Sequence, residues 1–227
     1  MDLAAFLSGG KDSAYAILKE MDKGNDIRCL ISIYSRNEES YMFHTQNIEM
    51  MPLFAAAADL PLIIQESEGV KEEELRDLET AIERALKDYE FEGIVSGAIE
   101  SNYQRRRMEK ICDNFNLRLC SPLWNRDPET ILKEISERME AIIIHVAAYG
   151  LDKSFLGKKI DEDMIEKLKK LNDLYKLHLC GEGGEYETFV VDAPYFKRKI
   201  RIKEWDIDWR GGRGSLIIRD AELIEKG

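Results

Sequence analysis

The chain has 227 residues, 34% of them charged and 44% hydrophobic, a globular balance with length enough to bury a core, which excludes a disordered or collagen-like chain. Its 33 basic residues face 44 acidic ones, a net charge of −11; binders of nucleic-acid backbone are normally basic, so no stable nucleic-acid complex is expected. Apolar runs such as residues 55–58 and 141–144 fall far short of the roughly 20 residues needed to cross a bilayer. Asp2 is followed at once by a strand-like run, which is not the pattern of a secretory leader, so a cytoplasmic protein with no membrane partner is expected. Cys29, Cys112, Cys120 and Cys180 make no CxxC pair and read as buried thiols.

In chain order, residues 3–7 are apolar without alternation, as in a strand buried on both faces. A helix begins near Asp12, with Ala14, Ile17, Leu18 and Met21 on one face, and stops near Gly24. Residues 29–34 predict a second strand, Thr45 can cap a helix reaching about Ala58, and residues 61–65 predict a third strand. A longer helix is expected over 70–89, with Leu75, Leu78, Ile82, Leu86 and Tyr89 three or four apart. Strand 93–96 closes at Gly97; a helix carrying Met108, Ile111, Cys112 and Phe115 precedes strand 117–120. Such alternation predicts an α/β fold with a parallel sheet and right-handed crossovers. After Pro122 the pattern changes. A helix over 127–139, a strand over 141–147 and a charged helix over 161–176 precede strands at 189–192, 200–209 and 215–224, the last two read as a hairpin around Arg210-Gly211-Gly212-Arg213-Gly214. The reading is two domains, 1–124 and a smaller α+β domain over 125–227.

The strongest chemical signal is Ser8-Gly9-Gly10-Lys11-Asp12-Ser13, between the first strand and first helix. Two glycines let a ligand approach the backbone and allow positive φ. Helix-start amides and the helix dipole attract anions. Ser8 and Ser13 add hydroxyls and Lys11 a cation. The bland alternative is a turn capped by Asp12 or Ser13. The spacing is not that of a Walker loop. Glu182, Glu185 and Glu187 stand in a second glycine-rich stretch, Cys180-Gly181-Glu182-Gly183-Gly184-Glu185-Tyr186-Glu187-Thr188. It reads either as a solvated turn or as a cation-attracting site, with cation–π help from Tyr186. Gly97 offers close approach to adenine or ribose. Tyr103 and the arginines at 105–107 can hold nucleotide or face solvent, His44 can touch phosphate or be structural, and Tyr34 is counted with the nucleotide site. His145 and His178 read as packing residues. Trp205, Trp209 and the basic run 197–203 read as a docking surface or as ordinary strand faces.

The segment at 8–13 resembles the SGGxDS motif of the PP-loop, or N-type, ATP pyrophosphatases, which cleave ATP between the α and β phosphates. With residues 97–105, the stretch 180–188, and the segments at 39–45, 148–152 and 156–157, nearly the whole chain is similar to the diphthine–ammonia ligase branch, in its short archaeal form. The resemblance implies an adenine-nucleotide α-hydrolase-like (HUP, Rossmann-like) first domain. It implies ATP and Mg²⁺, ammonia, and diphthine-bearing elongation factor 2 as partner. It further implies adenylation of the diphthine carboxylate, displacement of AMP by ammonia, and release of AMP and pyrophosphate. Ser8, Gly9, Gly10, Lys11, Asp12, Ser13, Tyr34, His44, Gly97 and Tyr103 would then hold nucleotide. Lys11, Asp12, Glu182, Glu185 and Glu187 would be catalytic, with Asp12 on the metal. No glutaminase cysteine is in place, so free ammonia or a partner must supply nitrogen. A PP-loop tRNA-modifying enzyme and a non-catalytic adenine-nucleotide-binding protein are the alternative readings, and the oligomeric state is left open.

Overall fold

A computed structural model describes residues 1–35, 47–69 and 73–227. Two sheets organise it. The first holds β1 (Asp2–Phe6), β2 (Asp26–Ser35), β3 (Leu62–Ser67), β4 (Gly93–Val95) and β5 (Arg118–Cys120), all parallel, in the order β3-β2-β1-β4-β5. The connecting helices are α1 (Lys11–Asp22), α2 (Met51–Ala58), α3 (Glu73–Asp88) and α4 (Asn102–Asn114). Alternate residues of β1 face opposite layers. Leu3 and Ala5 join one core with α1 and α2, whereas Ala4 joins a second core with Leu78, Ile82, Met108 and Ile111 of α3 and α4. A strand covered on both faces needs apolar residues at every position, which is why its sequence shows no alternation.

The second sheet is antiparallel, in the order β7-β6-β9-β8, built from β6 (Glu140–Val146), β7 (Tyr186–Asp192), β8 (Arg198–Arg210) and β9 (Arg213–Glu225). Helices α5 (Pro128–Arg138) and α6 (Glu162–Tyr175) belong to this half of the chain. Each is capped by an aspartate: Thr130 N donates to Asp127 at 2.8 Å and Met164 N to Asp161 at 2.9 Å. The hairpin turn is tighter than the sequence predicts. Arg210 pairs with Arg213, and Gly211 and Gly212 turn alone, both at positive φ, as a mirror-image two-residue turn requires. Thr45 lies outside the described residues, and α2 follows a single 3-10 turn, Ile48–Met50. All four cysteines are buried and free. No helix among the described residues is long and apolar enough to cross a membrane.

One core cluster runs through both halves, from Leu3, Ala14 and Ile17 to Ile143, Phe189 and Leu216. Helix α1 lies between them. Ala14, Tyr15, Ala16, Ile17 and Leu18 are all buried, a wider band than one amphipathic face, because the helix is covered from a second side. The phenol of Tyr195 reaches Ala14 O at 3.3 Å. Tyr15 and Arg126 meet on the Glu134 carboxylate of α5, Arg126 in a fork of 3.0 and 2.7 Å.

Candidate active site

Strand order places the site. The connections leave β1 toward β2 and β3 on one side and reach β4 and β5 on the other, so a crevice opens between the carboxyl ends of β1 and β4. Loop 8–13 follows β1, and Gly97 follows β4. They touch: a Cβ on Gly97 would lie 2.7 Å from Ser13 N and 2.8–2.9 Å from the Asp12 carbonyl group. Gly97 therefore lacks a side chain to admit the first turn of α1. The sequence reading assigns the room at Gly97 to adenine or ribose; in the Cβ direction it is taken by Asp12 and Ser13.

Loop 8–13 is shaped by its own small side chains. Gly9 adopts φ +78°. The Ser8 and Ser13 hydroxyls lie 3.1 Å apart, Gly10 N donates to Ser8 Oγ at 3.4 Å, and Ser13 Oγ donates to Gly10 O at 3.1 Å. Gly10 is the N-cap and has no side chain to bind the first-turn amides, so Asp12 and Ser13 are not the cap. The second sheet holds the loop from outside. Val190 N of β7 donates to Gly9 O at 2.9 Å, and Lys11 N donates to Thr188 Oγ1 at 3.0 Å. Strand β7 begins at Tyr186, three residues earlier than the sequence indicates, and this extension places Thr188 against the loop.

Lys11 is placed otherwise than expected. It is 2% exposed, and its ammonium donates to Cys180 O at 2.6 Å and to Asp12 Oδ2 at 2.9 Å, 5.1 Å from the Tyr186 ring centre. Burial opposes the charge, but the Asp12 carboxylate overrides that and holds the lysine above its ordinary range. Burial also pushes the Cys180 thiol up to about 12, which makes it no nucleophile at neutral pH. Lys11 thus ties the loop to the second sheet, where the sequence reading aims it at phosphate. Asp12 keeps one resource: Oδ1 is buried and has no hydrogen-bond partner among the described residues. An orphaned carboxylate oxygen at a glycine–hydroxyl loop fits a hard cation. No group of three or more metal-ligating side chains exists among the described residues. Mg²⁺ would therefore be held by Asp12 with phosphate and water oxygens, its usual arrangement.

Two of the three glutamates serve the backbone. Glu182 Oε1 accepts from the amides of Ile99, Glu100 and Ser101 at 3.3, 3.1 and 3.0 Å, clamping the turn between β4 and α4. Glu185 spans its own loop, with Oε1 accepting from His178 N at 2.9 Å and Oε2 from Gly183 N at 2.8 Å. Glu187 stands on β7 in register with His145. The first two carboxylates, read from sequence as part of a cation-attracting site, already bind amide hydrogens. Tyr103 lies on α4 with Arg107 stacked 3.5 Å from its ring centre, and Arg105 stacks on Trp124 at 4.5 Å. Tyr34, next to the last residue of β2, is half-buried, its phenol raised by burial and by Glu49. His44 lies outside the described residues. The basic run at 197–203 is matched by carboxylates, Lys199 with Glu140, Arg201 with Glu222 and Lys203 with Asp220. Trp209 packs on the core while Trp205 is exposed.

Sequence reasoning missed Thr188, the Cys180 carbonyl and His178. The His178 ring accepts amide hydrogens from Cys180 at 3.1 Å and Glu182 at 3.4 Å, so it organises the loop instead of filling core. No local pattern flags a carbonyl or a threonine whose partner lies 177 positions away.

A parallel sheet in this order, with a glycine–hydroxyl loop at its switch point and an antiparallel sheet bonded to that loop, defines a Rossmann-like α/β protein with an appended second unit. The models of the diphthamide synthase N-terminal and C-terminal domains match residues 1–119 and 127–224. The chain is 38% identical to the diphthine–ammonia ligase of Bos taurus, over 91% of this chain and 85% of that one, and equally to that of Homo sapiens. It is 34% identical to the Schizosaccharomyces pombe diphthine–ammonia ligase, covering 37% of that longer chain. This chain belongs to the diphthine–ammonia ligase family, and it is an enzyme. Animal relatives match over most of their length, so a short chain is not a mark of archaeal origin.

Proposed function

We propose that the protein converts the diphthine carboxylate on elongation factor 2 to its amide, using ATP and ammonia. The carrying observation is the direct bonding of loop 8–13 to β7 and Cys180, which brings a phosphate-type loop and an acidic loop to one crevice. A carboxylate oxygen attacks the α phosphorus and pyrophosphate departs. Ammonia then attacks the acyl carbon, AMP departs, and the nitrogen loses a proton to water or a carboxylate. Residues 1–124 bind nucleotide and residues 125–227 present the substrate.

Each group has a derived task. Amides at the start of α1 take the charge that develops on departing pyrophosphate, and the hydroxyls of Ser8 and Ser13 hold the loop's shape beneath them. Mg²⁺, when bound, neutralises phosphate charge. Asp12 offers it Oδ1, and Lys11 holds Asp12 in place from behind. Glu182 fixes the turn after β4 that backs α1. The test is incubation with ATP, ammonium and diphthine-bearing elongation factor 2, with mass spectrometry of the modified peptide. Replacement of hydroxyl by amino, in step with AMP release, supports the reading; unchanged peptide mass in the presence of all three refutes it.

A further inference from the structure

We propose that His178 is a positioning residue for the nucleotide loop, acting through Cys180 and Lys11 on Asp12. The inference rests on the reading that loop 8–13 takes Mg²⁺ and ATP. The connection is continuous. The His178 ring Nδ1 accepts from Cys180 N at 3.1 Å and Glu182 N at 3.4 Å, and its backbone oxygen accepts from Gly181 N at 2.9 Å. That last bond, a backbone one, orients the peptide between Cys180 and Gly181, and the two ring bonds hold the peptides on either side of it, 179–180 and 181–182, so that it keeps this orientation. In a trans peptide the C=O points opposite to the N–H, so an amide turned toward His178 turns the Cys180 carbonyl away from it. There the carbonyl receives Lys11 Nζ at 2.6 Å, and the same ammonium reaches Asp12 Oδ2 at 2.9 Å, leaving Oδ1 directed elsewhere.

An acceptor at Nδ1 is what this chain of bonds needs. With Nδ1 accepting, the proton sits on Nε2, which faces Glu100 Oε2 at 3.6 Å on the turn after β4. Glu182 clamps the same turn, so the loop is bound to the β4 edge of the crevice by Glu182 and to the β1 edge by the Cys180 carbonyl on Lys11. Buried Lys11 follows wherever the carbonyl goes, because a lost partner for a buried ammonium is costly. A displaced Cys180 carbonyl therefore moves the lysine and, with it, the carboxylate offered to the metal.

Substitutions separate this role from simple packing. Asparagine places an acceptor oxygen where Nδ1 stands and caps the amide two residues on, as asparagine does in turns. Glutamine carries the same amide one methylene further, toward Nε2. Alanine has no acceptor. Binding of a non-hydrolysable ATP analogue is measured by calorimetry with and without Mg²⁺, beside thermal melts of each full-length variant. His178→Asn is expected within about threefold of wild type, whereas His178→Gln and His178→Ala lose about tenfold, the scale of one hydrogen bond, in the Mg²⁺-dependent part. Glutamine equal to asparagine, or alanine equal to wild type, overturns the inference and leaves the nucleotide reading standing. Wild-type protein that does not bind the analogue overturns the nucleotide reading and this inference with it. Where His178→Ala does not fold, the asparagine–glutamine pair decides.

Discussion

The molecule has two glycine-rich loops, and they are built in opposite ways. Loop 8–13 is shaped by small hydroxyls and a positive-φ glycine, and its partners come from far along the chain at Thr188 and Val190. Loop 178–185 is shaped by charged and aromatic groups that fold back on its own amides, through Glu185 and the His178 ring. The first holds its shape while leaving room for a ligand's charge. The second fills its own hydrogen-bonding capacity and sends Glu182 and the Cys180 carbonyl to the other loop's supports. Acidic residues in a glycine-rich stretch can therefore be the scaffold of a site without being its reacting groups.

The sharpest way to break this arrangement is at the seam. Gly97→Ala puts a Cβ 2.7–2.9 Å from backbone atoms of Asp12 and Ser13. Neither backbone yields cheaply, and a shift of about 1 Å at a reacting centre costs on the order of 100-fold. AMP formation should fall by about that factor while the protein remains folded by circular dichroism; an unimpaired rate would show that the seam does not set the loop.

Next comes Lys11→Met, which keeps the volume and removes the ammonium. Cys180 O loses its donor and Asp12 its buried counter-charge, so stability should drop by about 2–4 kcal/mol in denaturant titrations. A solvent-facing lysine that serves phosphate alone would leave the midpoint unmoved. On the other side of the comparison, Glu182→Ala frees three amides beside solvent, for an expected loss of about 1–2 kcal/mol. Glu182→Gln keeps the oxygen acceptor and should recover part of that loss in the same titration.

The smallest effect lies away from both loops and calibrates them. The Arg126 fork, aided by Tyr15, holds Glu134 at about 2, below its ordinary 4.5. A carboxyl with a depressed folded value stabilises the fold above its unfolded value, and that contribution disappears as pH falls through the folded one. Partial exposure keeps it to about 1–2 kcal/mol. The melting difference between wild type and Glu134→Gln should therefore be constant above pH 4.5 and shrink toward pH 2. A difference that persists unchanged at pH 2 would assign the stabilisation to packing.

Much of the fold is legible in the sequence because each signal is local. Unalternating apolar strands, the apolar spacing of α3 and the caps Asp127 and Asp161 all act within a few residues. Loop 8–13 is legible for the same reason, since glycine and hydroxyl chemistry determines what the turn can do. The misplaced residues depend on the other half of the chain. Lys11 looks like an exposed cation until β7 and Cys180 cover it. Gly97 looks like room for a ligand until α1 fills the space. Glu182 and Glu185 look like free charges until three-dimensional folding delivers amides to them.

The most direct test follows oxygen. Elongation factor 2 carrying diphthine with heavy-oxygen label in its carboxylate is turned over with unlabelled ATP and ammonium. The account predicts one heavy oxygen in AMP for each amide formed, because that oxygen bridges carbon and the α phosphorus before ammonia displaces it. Label in orthophosphate, accompanied by ADP, would mean activation at the γ phosphate and would contradict it.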